Sequence, residues 1–149
     1  MKTLLKIAVG ILVVMVLLQF ITAPKNVSAV SDSKSFVKTF NTPKGVESIL
    51  HKSCFDCHSN NTEYPWYANI QPVEMFLAKH IKEGKEKLNF DELNDLGKRQ
   101  RRSKFTGIIE QIEQDKMPLN SYLWMHSDAH LSEKDKSVLI QYFETLKVK

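Results

Sequence analysis

Cys54-Phe55-Asp56-Cys57-His58 is a C-x-x-C-H pentapeptide, and it uses both cysteines of the 149-residue chain. Two thiols three positions apart can each add to one vinyl group of a single porphyrin, and the adjacent imidazole then lies under the iron. This is the spacing of c-type haem attachment. The pentapeptide predicts one covalent haem c on Cys54 and Cys57, with His58 as the proximal iron ligand. Two other chemistries use the same short loop, because a C-x-x-C pair also serves as a redox dithiol or as half of a zinc site. A dithiol normally follows a strand in a βαβ unit, a pattern this sequence lacks. Zinc needs two more ligands, and His51, His80, His126 and His130 form no familiar set with the pair. Both remain alternatives to haem.

The N-terminus reads as an export signal. Lys2 and Lys6 precede an apolar run from Ile7 to Ala23, broken only by Gln19 and Thr22, which is close to bilayer-spanning length. A transmembrane helix acting as a signal anchor is expected over residues 1–23. The alternative is cleavage near Ala29, since Val27-Ser28-Ala29 has the small residues of a processing site. Positive charge before the run keeps the N-terminus inside and puts the rest of the chain on the extracytoplasmic, periplasmic side. Residues 24–42, rich in Ser, Asn, Thr and Lys, read as a polar tether.

What remains, residues 43–149, suffices for one domain and not two. The formal charge of +4 owes much to Lys2, Lys6 and Lys25, which have no acidic residue among them, so the domain itself is close to neutral and nucleic acid is not an expected partner. One basic run, Lys98 to Lys104, is either a solvated helix face or a dock for an acidic redox partner or anionic lipid.

Apolar periodicity points to helices throughout, and no segment reads as a strand. Thr42 and Pro43 open a helix whose stripe Val46, Ile49, Leu50 runs into Cys54. A second helix is expected from about Pro72 to Lys82 with Gly84 as its stop, and Asn89 caps a short third. Phe105, Ile108, Ile109 and Ile112 fall at i, i+3, i+4, i+7, and the last helix opens at Ser132 with Asp135 completing a capping box. Its stripe is Val138, Leu139, Tyr142, Phe143 and Leu146.

The sixth iron ligand is the open point. Met117, followed by Pro118, lies 59 residues after His58, where a loop can carry its thioether across the haem. A thioether favours reduced iron and fills the position that small molecules would otherwise take. His126 is the alternative distal ligand, with His130, His80 and Met125 behind it, and a helix would put Tyr122, His126 and His130 on one face. Tyr64, Trp66 and Tyr67 carry polar atoms on large rings and are candidates for the haem pocket. His51 reads as a helix-end residue facing the dipole.

Cys54-Phe55-Asp56-Cys57-His58-Ser59-Asn60, with Thr62, Tyr64-Pro65-Trp66-Tyr67, Pro72, His80-Ile81, Gly84, Leu88-Asn89-Phe90, Met117-Pro118, Tyr122 and His126, resembles the bacterial haem-binding domain family of small cytochrome c-like proteins. The likeness spans roughly residues 40 to 147, and Gln19 to Asn26 is similar to the anchor end in such proteins. Lys85 departs from it, standing where arginine is expected. The resemblance implies an exported, membrane-anchored, mono-haem protein with an all-α, cytochrome c-like fold. It implies no particular reaction.

Three functions fit. An electron-transfer module docking to a respiratory or periplasmic redox partner is the first, and it is not an enzyme. A haem sensor or peroxidase-like enzyme is the second, needing a displaceable sixth position and a distal acid or base such as His126 or His130. A haem carrier or assembly subunit is the third. No Ser/His/Asp set, phosphate loop or carboxylate pair suggests other chemistry.

Overall fold

The structure, a computed structural model, describes residues 1–28 and 33–148, with the side chains of residues 33–35 left aside. It is all-α among the described residues, apart from an isolated antiparallel bridge between Val27 and Asn61. In chain order the helices are α1 (Lys2–Leu18), α2 (Ser33–Thr39), α3 (Lys44–Leu50), α4 (Asp56–His58), α5 (Val73–Lys87), α6 (Lys98–Glu113), α7 (Asn120–Leu123) and α8 (Glu133–Val148). A π-helical turn, His51–Phe55, joins α3 to α4. Single 3-10 segments lie at Trp66–Asn69, Phe90–Asp95 and Ser127–Ala129.

The core forms where the periodic stripes meet. α8 packs along α6 and also against α3, so the helix that leads into the cysteine motif rests on the last helix of the chain. Phe105, Ile109 and Ile112 of α6 are buried with Leu139, Phe143 and Leu146 of α8 and with Val46, Ile49 and Leu50 of α3. Aromatic edges complete the core: Phe90 meets Phe36 at 4.9 Å and Phe55 at 5.1 Å between ring centroids. Phe55 is one of the two residues between the cysteines, so the motif is pinned directly to the core. The Ser132–Asp135 capping box forms as expected. Asp135 N donates to Ser132 Oγ (3.1 Å), and Ser132 N donates to Asp135 Oδ2 (3.1 Å).

α1 stops at Leu18 and is 17 residues long, and among the described residues no helix is long and apolar enough to cross a membrane. Just after it, the Gln19 amide donates to Met15 O at 2.9 Å and to Gln71 O at 3.3 Å. Several other expectations need correction. The stretch read as a tether is partly folded. Residues 23–28 lie hydrogen-bonded along the domain, and Ser33–Thr39 is helical with Phe36 fully buried. The cleavage site proposed near Ala29 falls outside the described residues.

Thr42 does not cap α3. That helix begins after Pro43, and the Thr42 hydroxyl is instead buried 2.7 Å from the Tyr142 hydroxyl. Gly84 does not end α5 either, since the helix continues to Lys87. A Cβ at Gly84 would come within 2.7 Å of the Cys57 carbonyl oxygen, so the glycine is there to let α5 touch the motif helix. Nor do Tyr122, His126 and His130 share a helix, because α7 ends at Leu123.

Candidate haem site

The motif is built from a helix that widens as it passes through the cysteines. Cys54 lies in the π-helical turn and Cys57 and His58 in α4, an arrangement often found where a helix carries function. Cys54 and His58, four residues apart, face one cavity, while Cys57 lies against Gly84 of α5. The two intervening residues hold the motif from either side. Phe55 is buried in the aromatic core, and the Asp56 carboxylate accepts from Glu63 N (3.0 Å) and from the Tyr122 hydroxyl (2.7 Å).

His58 is oriented by backbone. Its Nδ1 lies 3.0 Å from both Gly84 O and Leu88 O, two acceptors, so Nδ1 carries the proton and donates. Nε2 then keeps its lone pair, the tautomer an iron ligand needs. Burial lowers the imidazole's pKa, which keeps the ring neutral. Burial also pushes the Cys54 thiol up to about 12, helped by Cys57, and the Cys57 thiol to about 11, helped by Asp56. Two protonated thiols are the reverse of what a redox dithiol uses.

The loop after the motif is locked by polar groups that sequence periodicity does not reveal. Ser59 is fully buried, with its hydroxyl exchanging hydrogen bonds with Asn61. Asn60 N donates to Asp91 Oδ2 (2.6 Å), Asn89 Nδ2 donates to Asn60 Oδ1 (2.9 Å), and Asn89 Oδ1 caps the Phe90–Asp95 turn through Asp91 N. These bonds hold Leu88, whose carbonyl orients His58.

The cavity has a volume of about 340 Å³ and a mainly apolar wall, within the range of small-ligand sites. Leu88, Phe90, Ile108, Ile112 and Leu131 line it, with Gly107 leaving room on α6. Met117 and Pro118 line it as well, together with Cys54 and His58. Lys87 and Lys104 border it, and the Lys104 ammonium donates to Lys87 O. A thiol, an imidazole with a free Nε2, a thioether and flanking ammonium groups around an apolar space fit a haem with its carboxylate side chains.

A sequence profile described as a haem-binding domain matches residues 13–145. The chain belongs to the haem-binding domain family. Neither the curated proteins nor the solved structures give a match. The haem-binding domain thus has a cavity walled by α6, the motif helix and the Met117 loop.

Other candidates lie elsewhere. Cys57, Tyr64, Trp66, Tyr67 and His126 do not line this cavity. The Tyr64 hydroxyl accepts from Asn26 N (2.8 Å), and Trp66 is 77% exposed. His126 stacks on Tyr122 at 4.0 Å. Its Nδ1 faces Tyr122 O (3.1 Å) and its Nε2 faces the Tyr67 hydroxyl (3.3 Å), so both ring nitrogens are engaged. His51, Tyr122 and His126 border a separate, more open groove on the other side of the motif helix. His130 and Met125 are exposed, and His80 sits on Phe76 with its Nδ1 at 2.8 Å from Phe76 O. Asn89 caps the Phe90–Asp95 turn as its position predicts, whereas Gly84 and Asp91 are supporting residues whose roles the sequence alone did not show.

Proposed function

We propose that this haem-binding domain is an exported, membrane-anchored carrier of single electrons, with one haem c held by Cys54 and Cys57, His58 as proximal ligand and Met117 as distal ligand. A bound haem supplies a one-electron couple. The observation that carries the proposal is that Cys54, the backbone-oriented His58 and the thioether of Met117 border one apolar cavity. His58 and Met117 would both hold the iron, and a fully ligated iron would supply electron transfer rather than chemistry on a small molecule.

A sensor or peroxidase needs a distal acid or base. His126 and His130 are absent from the cavity wall, and His126 is already bonded through both nitrogens. The carrier reading is favoured over the catalytic one for that reason.

Docking to an acidic redox partner is supported by the first half of α6. Lys98, Arg99, Arg101, Arg102 and Lys104 precede its first acidic residue, Glu110, and this half of the helix adjoins the cavity through Ser103 and Lys104. Complementary charge at such a rim raises association rates and makes them salt-dependent. Anchoring is supported by α1, whose apolar side chains are almost all exposed and whose Lys2 and Lys6 lie at the start, the order of charges in an export signal. The test is a redox titration of the full chain matured in a host with cytochrome c assembly machinery. A single reversible one-electron wave, with reduced protein that does not bind carbon monoxide, supports the carrier. Rapid carbon monoxide binding and peroxide turnover would replace it with the sensor or enzyme.

A further inference from the structure

Residues 19–28 are bonded into the domain at Gln19, Ile21, Ala23, Lys25, Asn26 and Ser28. Gln71, 1% exposed, is the centre of the lower clamp: its N donates to Gln19 Oε1 (3.1 Å), its O accepts from Gln19 Nε2 (3.3 Å), and its own Nε2 donates to Ile21 O (2.5 Å). Ala23 N donates to Glu74 Oε1 (3.1 Å) and Lys25 to Asn69 Oδ1 (2.6 Å). Asn26 forms the upper clamp. Its Nδ2 donates to Ser59 O and Thr62 Oγ1, both at 2.9 Å, its Oδ1 accepts from Lys85 (2.6 Å), and Ser28 N donates to Asn60 O. The segment therefore runs beside α5 from its first turn to its last and ends against the residue that follows His58.

Around the lower clamp several apolar side chains are exposed. Phe20 is 81% exposed, Phe76 51%, Ile21 49% and Ile70 42%, with Val73 beside them in sequence and partly exposed. These residues flank Gln71 and continue directly from α1, none of whose side chains is buried among the described residues. An apolar patch of this kind marks an interaction surface. Its continuity with the apolar helix selects lipid as the occupant.

We propose that residues 19–28 are a rigid mount that seats the face carrying Phe20, Ile21, Ile70, Val73 and Phe76 on the lipid bilayer entered by α1, which sets the haem cavity at a fixed height. This rests on the reading that α1 is retained as a membrane anchor. From Val73 to Gly84, α5 rises about 17 Å, and Gly84 O is bonded to His58. The cavity is thus at the far end of α5 from the lipid, together with the Ser103–Lys104 turn of α6 that borders it. A cleaved leader would forfeit the Gln19 clamp and the α1 surface, so retention is part of the proposal.

Bromine-labelled phosphatidylcholine vesicles test it with the full chain. In a Trp66→Phe/Trp124→Phe background, one reporter is Phe76→Trp on the proposed face and the other Arg102→Trp on α6. The expected result is quenching several-fold stronger at position 76 than at 102, with the difference shrinking when Gln19→Ala or Asn26→Ala opens a clamp. Equal quenching at both positions in protein that floats with the vesicles would overturn the seated face while leaving the anchor intact. The same selective quenching in both clamp variants would overturn the rigid mount. Protein that does not float with vesicles would overturn the anchor as well.

Discussion

His58 Nδ1 lies 3.0 Å from Gly84 O, and the Cα of that same glycine is where a side chain would collide with Cys57 O at 2.7 Å. One residue of α5 therefore both orients the imidazole and allows the close approach that makes the orientation possible. Gly84→Ala should push α5 away from α4 at a cost of about 1–3 kcal/mol, the usual range for overpacking a close contact. Chemical denaturation of the holoprotein measures the loss. The absorption spectrum should also change, since His58 loses an acceptor. An unchanged denaturation midpoint would show that the contact is looser than described.

Met117 shares the cavity wall with His58 across a mainly apolar space. Met117→Ala should open the sixth position, converting low-spin iron to a mixture with high-spin character and allowing carbon monoxide to bind the reduced protein. The potential should fall, because the thioether favours reduced iron. His126→Ala should leave the spectrum as it is. A variant spectrum that changes with His126 and not with Met117 would reverse the assignment.

The buried Thr42–Tyr142 pair, 2.7 Å between hydroxyls, ties the start of α3 to α8. Tyr142→Phe leaves the Thr42 hydroxyl buried without this partner and should cost about 1–3 kcal/mol. Equilibrium unfolding of the double variant Thr42→Val/Tyr142→Phe should recover much of that, since both polar groups are then gone.

Asp135 gives a pH-dependent contribution at the start of α8. The Ser132 hydroxyl donates to its carboxylate at 2.8 Å and Lys52 lies 4.0 Å away, and these hold its pKa below the ordinary value. A depressed folded-state pKa stabilises at pH above the unfolded value, near 4, and that stabilisation is lost as pH falls through the folded value. Ser132→Ala should therefore destabilise by about 1 kcal/mol at pH 7. The gap between variant and wild type should narrow as pH falls through the lowered folded-state pKa of Asp135. Thermal melts across that range would show it.

The helices that carry the core were legible because periodic apolar stripes report burial directly. Leu139, Tyr142, Phe143 and Leu146 fall on the inner side of α8, and the Ser132–Asp135 cap starts that helix where its spacing predicts. The cysteine motif was legible because its chemistry is local. Contacts between distant polar residues leave no period to read. Gln19 and Gln71 are 52 positions apart, and Asn26 and Lys85 59, so a docked segment looked like a tether. In the sequence Gly84 reads as a helix stop because glycine serves both uses, and only the position of Cys57 O distinguishes them. Tyr64, Trp66 and Tyr67 follow the motif closely in sequence, yet the Ser59–Asn61 turn carries them away from the cavity.

The central claim is a covalent haem on Cys54 and Cys57 in a haem-binding domain, and the most direct measurement is the intact mass of the full chain matured in a host that assembles c-type cytochromes, with haem staining after denaturing electrophoresis. The account predicts the polypeptide mass plus one haem, a stain that survives denaturation, and the loss of both in Cys54→Ser/Cys57→Ser. A bare polypeptide mass with haem that extracts into acidified solvent would contradict covalent attachment, and the site would then hold haem through its ligands alone.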